Sequence, residues 1–570
     1  MEIIFKLKYG ILLVASIGFV SCTQQTDTAK EQKEQQSLDT LKGYPWHIPQ
    51  TKPDRPLSAA NERLYDRYMA PRPQDNELYS QFKYTKINGF DYNNGDGTIS
   101  RRDPSKIIKE NIQPNILWIN LDDLGKELSC YGNPDVKTPN IDKLASEGVL
   151  YTNAFANAPV CSSSRSSQIT GMYPSAINVL NHRTINKEKL PKNIATIMEL
   201  FQQKGYFCTN GWAHNSNKKG KEDYNFLGDN FFDGTDWSQR KEGQPFFAQI
   251  QIHEPHRDFK YDKENPIDYK KVTLPEVYPD YPLLKADWAK YLESVQIADK
   301  KVGQILERLE TEGLSDNTIV ILFGDHGRPH LRDKQWLYQG GLAIPLIVRY
   351  PKKNHSGTVK NNLISLVDVT ASTLKFANID VPKNMHGKDV LGDEKRDYVF
   401  GFRDRCGDAV DDIRSISDGK FKLIWNRMPH LPYMQLSSYK KLQYPAFSLY
   451  KVLHKKGELK YPYNQFMAEK RPEIELYNLQ NDKNELYNLA DNEAYQTIKN
   501  TLFTTLSSQL KEIEKDRKPE SIEAIQKAKN GSFAYYLKGL KKKGLPENAT
   551  DEQIVAYWEK ELLKSKDKTQ

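Results

Sequence analysis

The chain has 570 residues, too many for one average domain, and 38% of them are hydrophobic, enough for a large core. Its five cysteines show no CxxC or Cys/His spacing, which excludes a disulfide scaffold and a zinc site. The net charge of +8 is spread along the chain and the lysine-rich end reads as a solvated helix face, so nothing favours nucleic acid, whereas 32 tyrosines suit carbohydrate-facing surfaces.

The first 22 residues carry Lys6 and Lys8, an apolar run over 11–20, then Ser21 and Cys22. The run is too short to span a bilayer and fits an export signal over 1–21. A cysteine after a small residue at its end resembles a bacterial lipoprotein cleavage site, so Cys22 is the expected lipid carrier. Residues 22–44 are polar and of low complexity and read as a tether. Location follows as an expectation: lipid-anchored, on the periplasmic or cell-surface side of the outer membrane. An N-terminal extension over 45–110 comes next. Its RPLSAANERLYDRYM and QFKYTKINGFDYNNGDGTISRRDPSK resemble the leading segment of anhydrogalactose-releasing propeller glycosidases. No propeller follows, so no glycosidase activity is inferred. In those relatives the leading helices mediate dimers, which implies a homodimer here. DYNNGDGTISRRD lacks the closing acid and the helix flanks of an EF-hand.

From about residue 114 to 400 strand and helix signals alternate. NILWINL (115–121) is an unbroken apolar run of strand length. TPNIDKLASEG (138–148) puts Ile141, Leu144 and Ala145 on one helical face between Thr138 and Gly148. APVCSSSRSSQITG (158–171) reads either as a solvated Ser-rich turn with a buried thiol beside a helix cap, or as a nucleophile, Cys161, at the positive end of a helix starting near Ser163. PFFAQIQIH (245–253) and NTIVILF (317–323) are buried strands, and 286–313 is a long amphipathic helix ending in glycine. Such alternation predicts an α/β fold, a large and mostly parallel sheet sandwiched by helices. In these sheets ligands sit beyond the carboxyl ends of strands. Asp122-Asp123, His253-Glu254-Pro255-His256 and Gly324-Asp325-His326-Gly327 fall there, and carboxylates with few thiols suit a hard cation, Ca²⁺ or Mg²⁺.

NILWINLDDLG, KTPNIDKLASEGVLYTNAFANAPVCSSSRSSQITGMYP, DNTIVILFGDHG and DKQWLYQGGLAIPLIVRYP occur in the order of the type I sulfatases, formylglycine-dependent members of the alkaline-phosphatase-like superfamily. The resemblance covers residues 111–500, and IHEPHR (252–257) is similar to the heparan N-sulfatase-like branch. It implies a catalytic domain over 111–400 and, from 413–424 and 475–490, a smaller C-terminal α+β subdomain with a basic helical tail over 401–570. It also implies roles. Cys161 stands where a cysteine is oxidised to formylglycine, whose hydrate offers one hydroxyl to sulfur and a second that expels sulfate. Arg165 holds that side chain. Asp122, Asp123, Asp325 and His326 hold Ca²⁺, His326 standing where Asn is frequent. Lys334 binds sulfate, and His253 contacts it and protonates the leaving alcohol.

Two departures stand out. Ser163 replaces the usual proline two positions after the cysteine, which bears on recognition by the formylglycine-generating maturation enzyme. The usual Gly-Lys-x-His block has no direct counterpart in CTNGWAHNSNKKGKEDYNF (208–226). One alignment puts Trp212 and His214 at its lysine and histidine; the other, preferred because KEDYNF resembles the block, puts Lys221 and Asp223 there. His182, Arg183, His214, His256 and Arg403 are further candidates for substrate contact. The reading that results is a hydrolase removing sulfate from a carbohydrate, such as a sulfated algal polysaccharide. The alternatives are a lipoprotein that binds sulfated glycans without turnover, and a phosphodiesterase or phosphatase of the same superfamily.

Overall fold

The computed structural model describes residues 113–213 and 215–564. The expected signal, Cys22, the tether, the 45–110 extension and His214 lie outside the described residues. Among the described residues no helix is long and apolar enough to cross a membrane.

In chain order the larger part comprises β1 (Asn115–Leu121), α1 (Pro139–Ser146), β2 (Val149–Phe155), α2 (Cys161–Thr170), α3 (Ile197–Gln203), β3 (Phe207–Trp212), β4 (Asn215–Lys219) and β5 (Phe246–Ile252). It continues with α4 (Pro282–Thr311), β6 (Thr318–Gly324), α5 (Gln339–Leu342), β7 (Ala343–Arg349), β8 (Thr358–Lys360), β9 (Ile364–Ser365) and α6 (Leu366–Phe376). The strands form one nine-stranded sheet in the order β4-β3-β5-β1-β6-β7-β2-β8, with β9 on β2. The sheet is mixed. β3, β5, β1 and β6 run parallel, whereas β7 is antiparallel to both β6 and β2, and β4 turns back on β3.

The apolar run of β1 has a use for every residue. Leu117, Ile119 and Leu121 face one layer, with Trp288, Leu292 and Val295 of α4; Ile116 and Trp118 face the other, with Ile197 and Phe201 of α3 and Leu374 of α6. This is the period of two expected of a strand covered on both sides. The long helix starts at Pro282, where a missing N–H costs nothing, four residues before the run that predicts it.

A four-stranded antiparallel sheet follows, β10 (Val399–Arg403), β11 (Ile413–Ser417), β12 (Phe421–Asn426) and β13 (Ile474–Asn478). Its helices are α7 (Ser438–Gln443), α8 (Pro445–Lys455), α9 (Gln496–Ile513), α10 (Ile522–Lys542) and α11 (Asp551–Glu559). Leu502, Leu506, Leu510 and Ile513 of α9 cover one face against Phe402, Ile416, Leu423 and Leu476. The basic end of the chain is no merely solvated face: Tyr536, Leu540, Ile554, Val555 and Trp558 are buried in the core shared by both domains. Their i,i+4 spacing is masked in sequence by the lysines between them.

Candidate functional site

The order β5-β1-β6 brings three strand ends side by side. Leu121 pairs with Ile252 on one side and with Gly324 on the other, so Asp122-Asp123, His253 and Asp325-His326 leave the sheet next to one another. Asp123 turns back through a positive φ of 66°. Its N–H donates to Asp325 Oδ1 at 3.0 Å, as does the N–H of His326 at 2.9 Å. Gly327 then lets the chain pass close to its neighbour, since a Cβ there would meet the Gly340 carbonyl oxygen at 2.1 Å.

α2 points its N-terminus at this crevice and starts at Cys161 itself, two residues before the expected helix start. All ten of its residues are buried, and the serines are small enough to allow it. Each hydroxyl has a partner. Ser162 Oγ accepts from Arg183 N at 2.8 Å, Ser163 Oγ donates to the Leu180 carbonyl at 2.6 Å, Ser164 Oγ donates to the Asp325 carbonyl, and Ser166 Oγ donates to the Ser162 carbonyl at 2.7 Å. The run is therefore a buried packing surface that fixes the 179–183 segment, not a solvated turn.

Cys161 Sγ lies 3.3 Å from Asp122 Oδ1, 3.3 Å from His326 Nε2 and 3.9 Å from Asp123 Oδ1. Lys334 Nζ is 3.5 Å from the sulfur and 2.6 Å from Asp123 Oδ1. Lys221 Nζ is 2.6 Å from Asp122 Oδ2. Of the two alignments, the one through Lys221 reaches the cluster. Asp223 beside it pairs with Arg183 at 3.3 Å, and Trp212 stands edge-on to His253 with centroids 6.5 Å apart. Arg165 donates from Nε to Asp325 Oδ2 at 3.0 Å and from Nη1 to Gln251 Oε1 at 2.5 Å.

Burial opposes every charge here and the neighbours overrule it. Lys221 and Arg165 hold the Asp122 carboxyl well below the usual carboxylate range, and Lys334, His256 and His326 do the same for Asp123. In return His326 is pushed up to about 10, against its burial, by Asp325, Cys161, and Asp123. His182 goes the other way. Burial, then Arg183, Lys334 and Lys221, hold its imidazole well below the usual value and thus neutral, and its buried Nε2 has no hydrogen-bond partner among the described residues.

The remaining candidates fall into two groups. His253 and His256 stand together beside the cluster, ring centroids 5.0 Å apart, with His256 Nε2 3.9 Å from Asp123 Oδ2. Arg403 is enclosed: it is buried, 3.4 Å from Asp411 Oδ2, with its guanidinium 4.3 Å from the Trp336 ring. Its Nε and Nη1 are buried without a hydrogen-bond partner among the described residues. Two residues escaped sequence reading. Gln251 orients Arg165, and its signal was a polar residue inside the buried strand FFAQIQI. Tyr439 of α7 carries the Lys334 ammonium 5.8 Å from its ring centroid, and nothing local in sequence marks it.

The cluster could hold a metal ion. Ligand atoms of Asp122, Asp123, Cys161 and His326 all lie within 4.8 Å of one another, and Asp123 Oδ2 is buried with no hydrogen-bond partner. Asp325 stands directly behind, 3.8 Å from His326 Nε2, with both oxygens engaged by backbone N–H groups and Arg165.

The family model described as Sulfatase matches residues 114–379. An ulvan-active sulfatase of Formosa agariphila is 31% identical over 476 residues, covering 74% of this chain and 78% of the relative. The N-sulphoglucosamine sulphohydrolase of Homo sapiens is 26% identical over 314 residues, covering 47% of this chain and 61% of its own. In fold, the chain is similar to BT4656, solved in complex with its substrate D-glucosamine-2-N,6-O-disulfate. The TM-score is 0.52 at 18% identity, over 72% of this chain and 100% of that one.

Proposed function

The chain belongs to the sulfatase family, and we propose that it removes sulfate esters from a polysaccharide of the ulvan type, with residue 161 as nucleophile after conversion of its thiol to formylglycine. One observation carries the reading. A buried cysteine opens a helix at the joined ends of parallel strands, with Asp122, Asp123 and His326 within 3.9 Å of its sulfur and Lys334 at 3.5 Å.

A formylglycine hydrate at residue 161 supplies one hydroxyl that attacks sulfur and a second whose deprotonation expels sulfate. Asp122, Asp123, Asp325 and His326 would hold a divalent cation, Ca²⁺ in preference to Mg²⁺, which would supply positive charge to stabilise the sulfate. The chain's own groups do the rest. Lys334 and Lys221 give ammonium charge to the sulfate as it gathers negative charge, and the N-terminus of α2 adds backbone N–H groups. Arg165, fixed by Gln251 and Asp325, keeps residue 161 in place. His253, at the end of β5, gives a proton to the departing sugar oxygen.

The same proposal extends to maturation and location. A formylglycine-generating enzyme reads CSSSR without its proline, and lipid on Cys22 holds the enzyme at the outer membrane, as the run ending in GFVSC supports. A homodimer through 45–110 belongs with these proposals.

Sulfate released from ulvan oligosaccharides, followed by ion chromatography on protein made in a host that forms formylglycine, tests the function. Release is expected. Release from other sulfated glycans and none from ulvan would overturn the substrate assignment.

A further inference from the structure

α7 of the C-terminal domain starts a wall of aromatic rings beside the charged cluster. Tyr439 lies among the charges of Lys334, Asp123 and Cys161, with the Lys334 ammonium 5.8 Å from its ring centroid. Its hydroxyl is buried and has no hydrogen-bond partner among the described residues. Leaving such a group unpaired is unfavourable, so one kept near the charged cluster is free to pair with a ligand.

The wall continues outward. The ring of Tyr535, on α10, lies 6.4 Å from that of Tyr439 at an interplanar angle of 32°. Tyr535 is 44% exposed, yet it is held, because its hydroxyl accepts from Gln443 Nε2 at 2.9 Å. A tethered aromatic ring offers contact area with little freedom left to lose. The wall is also braced from behind. Tyr444 meets the Tyr439 ring at 5.6 Å, and the Arg257 guanidinium lies 4.5 Å from the Tyr444 ring while paired to both oxygens of Asp287 at 2.8 and 2.6 Å. α10 sits tightly on α7, where a Cβ on Gly539 would meet Leu442 Cδ2 at 2.1 Å.

We propose that Tyr439 and Tyr535 form the sugar-binding wall of the catalytic pocket. The Tyr439 hydroxyl bonds to the sugar that carries the sulfate, and the Tyr535 ring stacks against the adjoining sugar. The inference rests on the sulfatase reading. It gives the basic helical end of the chain a part in substrate selection, because Tyr535 reaches the pocket only while α10 is docked.

Tyr439→Phe and Tyr535→Ala, each checked for an unchanged melting temperature, are assayed on ulvan oligosaccharides and on nitrophenyl sulfate. The aryl ester needs the sulfate machinery and presents no second sugar. Tyr535→Ala is expected to raise KM for the oligosaccharide about 10-fold with kcat nearly unchanged, the effect of losing one aromatic contact. Tyr439→Phe is expected to lower kcat/KM for the oligosaccharide about 5- to 10-fold, the effect of one hydrogen bond. Tyr535→Ala keeps wild-type kcat/KM on the aryl ester. A parallel fall on both substrates, or no change on the oligosaccharide, would overturn the wall. Absence of sulfate release from both substrates by the unaltered protein would instead overturn the sulfatase reading beneath it.

Discussion

Cys161→Ala is expected to remove sulfate release almost wholly, a fall on the order of 10⁴- to 10⁶-fold of the size seen when a nucleophile is deleted. The reason lies in what the side chain touches. Its sulfur lies 3.3 Å from both Asp122 Oδ1 and His326 Nε2, and 3.5 Å from Lys334 Nζ. Alanine leaves α2 intact, because the helix is held by its serine hydroxyls and by Arg165, so the fold survives and only the chemistry goes. Cys161→Ser is the sharper comparison. Serine supplies a hydroxyl to attack sulfur but has no second one to expel sulfate, so any single turnover stalls. Steady release measured by ion chromatography checks both variants, and a serine variant with full steady activity would contradict the assignment of residue 161.

Asp123→Asn is expected to lower activity about 10²- to 10³-fold, comparable to loss of one strong electrostatic contact in a transition state. The change is nearly isosteric, but it removes a charge that faces Lys334 at 2.6 Å and His326 at 3.0 Å. A second readout separates metal binding from chemistry. Ca²⁺ binding to the folded protein stabilises it by about 2.7 kcal/mol when the free ion is at a hundredfold excess over Kd, so added Ca²⁺ should raise the melting temperature of the unaltered protein. In the Asn variant that rise should shrink or vanish, as fewer carboxylates remain to pay for dehydrating the ion. An equal rise in both proteins would remove Asp123 from the ligand set.

Much of this arrangement is legible in sequence because a fully buried parallel strand needs an unbroken apolar run. NILWINL and NTIVILF announce β1 and β6, and the acids that stop them mark the strand ends where ligands collect. The sequence cannot announce which strands adjoin. That β1 lies between β5 and β6 is a fact of topology, and it alone brings His253, Asp123 and His326 to one crevice. The antiparallel β7 also escaped, because AIPLIVR reads as a buried strand whichever way it runs. Tyr439 lies 278 positions beyond Cys161 in number and reaches the pocket only through packing between domains, so no local pattern reveals it. The serines after Cys161 misled in the opposite sense: a polar run suggests solvent, yet each hydroxyl closes a hydrogen bond inside the protein.

The departure at Ser163 concentrates the account on one chemical fact. Ser163 is buried and donates to the Leu180 carbonyl, so it has a structural use in the folded chain, while the maturation enzyme must act on CSSSR without the customary proline. Mass spectrometry of the peptide containing residue 161, from protein made in its native host, reads the outcome directly. The account predicts an aldehyde or its hydrate at residue 161, reactive toward hydrazides. An unmodified thiol throughout, in protein that otherwise folds, would contradict it.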